Sequence, residues 1–131
     1  MKVLALDYGS ARTGVAVSDA TGTVARPLGV VERAASDAGL ERVAAIVRDE
    51  RPDCVVVGLP LTLRGEHGHQ ADETARFVES LREVVDVPVE TFDERFTTAL
   101  AMRGGGAAPE DARAAAHLLS SYLEWSSARR R

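Results

Sequence analysis

Two short apolar segments near the start of the chain decide the fold. The first is Lys2-Val3-Leu4-Ala5-Leu6-Asp7, and the second is Gly14-Val15-Ala16-Val17-Ser18. Successive strand residues point to opposite faces of a sheet, so a nearly continuous apolar run is typical of a central strand that is covered on both faces. The sequence therefore predicts two neighbouring strands in the middle of a sheet, the first of which ends at Asp7.

Outward from these segments, the pattern changes from a meander to alternating strands and helices. Turn residues at 19–22 precede a third strand at 23–31, and the three strands form a meander. Apolar residues then recur at helical spacing from Asp37 until Arg51-Pro52-Asp53 ends that helix. A strand at 53–58, a helix at 70–85 and a strand at 87–92 follow. Such a strand-helix-strand unit implies parallel pairing with a right-handed crossover.

The last third of the chain is predicted to be helical. A short helix over 97–102, capped by Thr97, is interrupted by the glycines at 104–106. A final helix begins near Pro109. Its apolar stripe consists of Ala115, Leu118, Leu119, Tyr122 and Leu123. We expect a single domain over residues 1–131, with residues 126–131 forming a frayed basic tail.

Composition excludes several classes of protein. The 131 residues are 45% hydrophobic and 27% charged, which is ordinary for a globular domain and unlike a disordered or fibrous chain. No window approaches the length of a membrane span, and Met1-Lys2 runs directly into a strand, so we expect no export signal and a cytoplasmic location. Cys54 lies in an apolar run and is expected to be buried. The net charge of −4 runs against the basic surface that phosphate binding normally uses.

Acidic residues stand out where predicted elements begin or end: Asp7, the pair Asp93-Glu94, and Asp111. The carboxyl ends of parallel strands open on one edge of a sheet, where α/β folds place their sites, so Asp7 and Asp93-Glu94 are expected at the same edge. Asp111 shares a helical stripe with Ala115 and should point inward at that edge. The three segments could therefore converge.

A group of converging carboxylates favours a metal site. Such carboxylates repel one another, and Mg²⁺ binds to oxygen ligands of this kind in metal-assisted phosphoryl transfer. Each position also has a structural explanation: Asp7 as a turn residue before Gly9, Asp93 as an N-cap-like acceptor, and Asp111 as a partner of the helix dipole. The residues alone support an α/β domain with an acidic edge and leave both interpretations open.

Four blocks of sequence resemble one known family. They are Leu4 to Gly9 with Thr13 to Asp19, Val57-Gly58-Leu59-Pro60-Leu61 with Gly65, Asp93-Glu94-Arg95-Phe96-Thr97-Thr98, and Asp111 through Ala116 to Tyr122-Leu123. Together and in this order they resemble the YqgF/RuvX family of pre-16S rRNA nucleases, also described as Holliday-junction-resolvase-like. The third block is the most specific. The resemblance covers the chain from Lys2 to about Glu124.

The resemblance implies an α/β fold of the RNase H-like class, with a five-stranded mixed sheet of three antiparallel strands followed by two parallel ones, flanked by helices. It implies a metal-dependent endonuclease that processes the 5′ end of precursor 16S rRNA. Mg²⁺ or Mn²⁺ would be held by Asp7, Glu94 and Asp111, with Asp93 substituting or orienting. The implied substrate-binding residues are Arg12, Arg95, Thr97, Thr98, Gly9 and Gly65. The expected partners are nucleic acid, with precursor rRNA preferred and branched DNA possible, and ribosomal particles. No membrane association is expected, and the protein would be a monomer or a homodimer.

One departure from the family keeps alternatives open. The family usually carries a longer, basic loop before its closing aspartate, whereas residues 104–110 here read Gly-Gly-Gly-Ala-Ala-Pro-Glu. A Holliday-junction-resolvase-like DNA nuclease and a non-catalytic ribosome-biogenesis or nucleic-acid adaptor therefore remain as alternatives. An ATP-binding fragment of the actin, Hsp70 or sugar-kinase type is a further alternative, although such proteins bind ATP between two domains and this chain has the length of one.

Overall fold

The computed structural model describes residues 1–60, 68–96 and 109–129. One sheet contains the strands β1 (Val3–Asp7), β2 (Arg12–Ser18), β3 (Ala25–Glu32), β4 (Cys54–Leu59) and β5 (Val89–Asp93), in the order β3-β2-β1-β4-β5. The pairs β1·β2 and β2·β3 are antiparallel, and the pairs β1·β4 and β4·β5 are parallel. The predicted mixed sheet is confirmed, with strand ends that differ from the prediction by one or two residues.

Helices cover both faces of the sheet. Helices α1 (Asp37–Glu50) and α2 (His69–Val84) pack on one face, and α3 (Glu110–Arg129) packs across β1, β2 and β3 on the other. Alternate residues of β1 divide between two apolar cores: Leu4 and Leu6 join Phe77 and Leu81 beneath α1 and α2, while Ala5 lies with the core beneath α3. This division explains why the central strands read as continuous apolar runs.

Residues at the two ends of α1 determine where this helix begins and ends, close to the predicted bounds. The Ser36 hydroxyl oxygen accepts a hydrogen bond of 3.0 Å from the Gly39 amide and so caps the start of α1. Arg51 adopts a left-handed conformation at φ 51°, and its amide bonds to the Val47 carbonyl, which ends the helix before Pro52. Cys54 is buried, as predicted.

The regular row of backbone hydrogen-bonding groups is interrupted at both outer strands, β3 and β5. Pro27 lies within β3, where the register with β2 shifts between Val15 and Ala16. On the opposite side of the sheet, the Arg82 guanidinium donates two hydrogen bonds to the Val89 carbonyl of β5, at 2.7 and 3.3 Å.

Two expectations about the end of the chain have different outcomes. Helix α3 continues through residues 126–129, so the prediction that a frayed tail starts at residue 126 is wrong for these four residues; Arg129 lies over the Trp125 ring, 4.9 Å from its centroid. The predicted short helix over 97–102 and the glycines at 104–106 lie outside the described residues. In the described ranges, no helix has the length and apolar character needed to cross a membrane.

Candidate active site

The carboxyl ends of the parallel strands β1, β4 and β5 lie at one edge of the sheet. Asp7 and Glu94, two of the predicted site residues, meet there. Asp7 is the last residue of β1, and Asp93 is the last residue of β5, paired with Leu59 of β4. The chain then turns into a single 3₁₀ turn, Glu94–Phe96, whose first residue is Glu94. This edge is the expected location of a site in an α/β sheet.

Asp7 and Glu94 are in direct contact, with a hydrogen bond between their carboxyl groups. Burial, the negative charge of Asp7 and the hydrogen bond to it raise the pKa of Glu94 to about 7, and the charge of Asp93 adds to the shift. Burial also raises the pKa of Asp7; the hydrogen bond from Glu94 opposes this shift and the charge of Asp111 adds to it. Glu94 is therefore the proton donor of the pair and Asp7 the acceptor.

A glycine on the neighbouring strand provides the space for Glu94. A Cβ atom at Gly58 would lie 2.7 Å from Glu94 Oε1 and 3.1 Å from both Glu94 Cγ and Leu118 Cδ2. Gly58 therefore lets the Glu94 side chain lie flat against β4 and point back to Asp7.

A second glycine brings Asp111 to the same edge. A Cβ atom at Gly14 would lie 1.8 Å from the backbone oxygen of Asp111, so only glycine lets the first turn of α3 approach β2 this closely. Gly14 in turn pairs with Asp7 across β1 and β2. The Asp111 carboxylate lies 3.1 Å from Arg12 Nε, and both side chains are partly exposed.

Asp93 faces a different partner. Its carboxylate accepts hydrogen bonds from the Arg95 amide at 2.9 Å and from the Arg95 guanidinium at 2.6 to 3.1 Å. These bonds keep the pKa of Asp93 below its ordinary value, although desolvation opposes the shift. Asp93 thus binds the guanidinium of the residue that follows Glu94, and its predicted role beside the metal ligands stays a prediction.

The glycine and threonine predictions divide between described and undescribed residues. Gly9 lies in the turn between β1 and β2, where a Cβ atom would come within 2.5 Å of the Arg12 carbonyl oxygen, so this tight turn requires glycine. Its amide and carbonyl also bond to the Thr13 hydroxyl, at 3.4 and 3.3 Å. Gly65, Thr97 and Thr98 lie outside the described residues.

A polar cleft of about 150 Å³ opens beside the carboxylate pair. It is lined by Asp7, Tyr8, Gly9, Ser10, Pro60, Gln70, Glu73, Thr74 and Glu94. The α2 residues Gln70, Glu73 and Thr74 were not predicted for the site. Their spacing of three and four residues at the start of a helix, next to the ends of β1 and β4, is the signal that could have identified them.

The arrangement combines a carboxylic acid, a carboxylate and two arginines, each arginine held by an aspartate. Within residues 1–60, 68–96 and 109–129, no three His, Cys, Asp or Glu side chains are close enough together to share a metal ion. The sequence expectation placed Asp7, Glu94 and Asp111 in one such group. The structure brings Asp7 and Glu94 into contact, whereas the Asp111 carboxylate is directed to Arg12.

Comparisons with known proteins identify the family to which this chain is similar. The family model RuvX, described as "Holliday junction resolvase", matches residues 1–125. A relative from Chloroflexus aggregans, named "Putative pre-16S rRNA nuclease", is 40% identical, with 93% of this chain and 92% of the relative covered. A relative of the same name from Roseiflexus sp. is 42% identical over 78% of this chain and 72% of its own length.

Solved structures show the same fold at low sequence identity. The RuvC chain of a structure titled "T. thermophilus RuvC in complex with Holliday junction substrate" superposes with a TM-score of 0.67 at 19% identity, covering 98% of this chain and 96% of that one. A fowlpox virus Holliday junction resolvase gives a TM-score of 0.56 at 13% identity, covering 95% and 99%. The predicted RNase H-like architecture is confirmed, and by the extent of the family match and the identity to its relatives this chain belongs to the RuvX family.

Proposed function

We propose that this protein is a metal-dependent endonuclease that hydrolyses phosphodiester bonds in structured RNA, and that its substrate is the 5′ end of precursor 16S rRNA. The observation that carries the proposal is the Asp7–Glu94 carboxyl pair at the carboxyl ends of β1 and β5, with Asp111 brought to the same edge by Gly14. Membership of a family whose relatives bear the name of a nuclease supports the reaction class.

The donor set fits a hard divalent cation. Two carboxyl groups in contact, with the charge of a third acting on Asp7, supply the oxygen ligands that Mg²⁺ and Mn²⁺ prefer. Asp7 and Glu94 would hold the cation, and Asp111 would join them on exchanging its contact with Arg12. When bound, such an ion activates water and stabilises the leaving oxygen in phosphodiester hydrolysis.

We infer that the two arginines, Arg12 and Arg95, bind the phosphate groups of the substrate. Arg12 lies in the β1–β2 hairpin beside Asp111, and Arg95 follows Glu94 directly. Guanidinium groups bind phosphate oxygens in a bidentate manner, and the aspartate partners hold them near the site until substrate arrives. They provide local positive charge in a chain whose net charge is −4.

Precursor rRNA as the substrate is supported by the names of the relatives. Trimming an RNA end requires one active site, so a monomer suffices, and it would place the protein in the cytoplasm in contact with ribosomal particles. Resolution of a symmetric DNA junction would instead require two active sites related by symmetry.

The test is cleavage of three labelled substrates with Mg²⁺ or Mn²⁺: precursor 16S rRNA, unstructured single-stranded RNA and a four-way DNA junction. We expect the wild type to cut the precursor at its 5′ side and Asp7→Asn to lose this activity. Asp49→Asn, the same change at an exposed position of α1, is the matched control and should retain activity.

Each contrary outcome has a definite meaning. Preferred cleavage of the junction would replace the RNA substrate by DNA. Binding of precursor rRNA without cleavage under every metal condition would identify a non-catalytic adaptor.

A further inference from the structure

One wall of the cleft is not used by the carboxylate chemistry. Tyr8 follows Asp7 directly, and its ring stacks on Phe77 of α2 with 4.5 Å between centroids and 22° between planes. Its hydroxyl is hydrogen-bonded to the Glu73 carboxylate, also on α2. The stacking and the hydrogen bond together hold this carboxylate in the lining of the cleft, to which Glu94 also belongs. These two residues line the cleft together, and we refer to them as the Tyr8–Glu73 wall.

The charge of this wall limits what it can bind. A carboxylate repels phosphate oxygens, so a direct contact between Glu73 and the phosphates of the substrate is unfavourable, while the positive charge of Arg76 also acts on Tyr8. It accepts hydrogen bonds, and a hydroxyl donor is the natural partner. Gln70 and Thr74, which line the same cleft, add further polar groups. The Thr74 hydroxyl already donates to the Gln70 carbonyl at 2.8 Å, so the carboxylate of Glu73 is the strong acceptor of the wall.

Position decides which substrate group reaches the wall. The cleft begins at Asp7 and Glu94, where the cleaved phosphate would lie, and its volume of about 150 Å³ has room for little more than one sugar or base. The sugar is attached directly to the phosphate, so it is the group next in line. In RNA this sugar carries a 2′-hydroxyl, which can donate a hydrogen bond; in DNA it has no such donor.

We propose that the Tyr8–Glu73 wall accepts a hydrogen bond from the ribose 2′-hydroxyl of the nucleotide next to the cleaved phosphate, so that the site selects RNA over DNA. This inference rests on the proposed nuclease function and names the feature that determines its substrate class. Glu73 is the specificity-determining residue, and Tyr8 positions it.

Binding measurements separate this inference from catalysis. The full chain carrying Asp7→Asn is titrated, with Mg²⁺ present, against fluorescent single-stranded RNA, DNA of the same sequence, and RNA with 2′-O-methyl groups, which keep the oxygen but lose the donor. We expect RNA to bind about tenfold more tightly than either, the factor given by one hydrogen bond to a charged acceptor. Adding Glu73→Ala should remove this preference, and Tyr8→Phe should reduce it.

The control is Glu83→Ala, which removes the same charge from an exposed position at the far end of α2. It should leave the ratio of RNA to DNA affinity unchanged, which separates hydrogen bonding from the general effect of one negative charge fewer. Circular dichroism of every variant verifies that the fold is retained.

Cleavage with Asp7 intact distinguishes the two proposals. If the wild type cleaves nucleic acid and Glu73→Ala leaves the RNA preference unchanged, the inference is overturned and the nuclease stands. If nothing is cleaved but the binding preference disappears in Glu73→Ala, the nuclease proposal fails and the recognition of RNA stands. If the affinity depends on which base is present and is the same for RNA and DNA, Glu73 binds an amino group of the base. This result would overturn the inference.

Discussion

The carboxyl group of Glu94, which follows β5, donates a hydrogen bond to the carboxylate of Asp7 at the end of β1, across the intervening strand β4. The contact joins residues that lie far apart in sequence. It stores a proton at the position where the proposed cation would bind, so that protons and cations compete for the same oxygens.

The first prediction concerns stability and pH in metal-free protein. The pKa of Glu94 in the folded state, about 7, lies above the ordinary value of 4.5, so the stability contributed by its protonated form is complete below 4.5 and is lost as pH rises through 7. With a discount for solvent screening of this half-buried group, we expect the free energy of unfolding to fall by roughly 1–2 kcal/mol between pH 5 and pH 8. Urea unfolding with EDTA measures it. Glu94→Gln should remove most of this dependence, and an unchanged slope in that variant would contradict the assignment.

The second prediction concerns Arg12, whose Nε forms an ion pair with the Asp111 carboxylate at 3.1 Å. Arg12→Gln frees Asp111 for the cation, so we expect metal to bind a few-fold more tightly by isothermal titration calorimetry; the effect is small because both side chains are partly exposed. The same change removes a phosphate contact and should raise KM for RNA. Weaker metal binding in Arg12→Gln would show that Arg12 does not compete with the cation.

The third prediction concerns Gly58, which makes room for Glu94. In Gly58→Ala the new methyl group would lie 2.7 Å from Glu94 Oε1, and the flexible end of that side chain would move away. Because small displacements of catalytic groups are costly, we expect kcat to fall by roughly 10- to 100-fold while the thermal midpoint changes little. An active Gly58→Ala enzyme would argue against a direct role of Glu94 in this position.

The fourth prediction concerns Gly14, where the obstacle is backbone. A Cβ atom in Gly14→Ala would overlap the Asp111 carbonyl at 1.8 Å, so α3 must move as a unit away from β2. We expect a loss of several kcal/mol in the free energy of unfolding, measured with urea, or failure to fold. Gly29→Ala on β3 is the control, since its Cβ would meet nothing within 4 Å, and it should be close to neutral.

Much of the fold could be predicted because its signals are local in sequence. The continuous apolar run from Val3 to Leu6 identifies a buried central strand, and the helical spacing from Leu40 to Val47 identifies α1. The position of Asp7 at a strand end and of Glu94 after β5 follows from the same pattern. The resemblance to a known family then indicated which of these acidic residues belong together.

The unpredicted features depend on contacts between distant segments. The pairing of Asp111 with Arg12 depends on how closely α3 approaches the hairpin, which Gly14 determines through its missing Cβ. Glu73 carries no signal of its own in the sequence, because its contact with Tyr8 forms only when α2 packs on the sheet. A tail from residue 126 is predicted because chain ends are usually loose, whereas α3 continues to Arg129, which packs on Trp125.

The interrupted edges of the sheet, at β3 and β5, affect how two copies of the chain can associate. Strands that could pair with another chain are an aggregation hazard, and proline or a side chain that occupies the edge reduces it. Pro27 has no amide hydrogen to offer a neighbour along β3, and Arg82 already occupies the Val89 carbonyl of β5. Both edges therefore disfavour a sheet that continues from one molecule into a second.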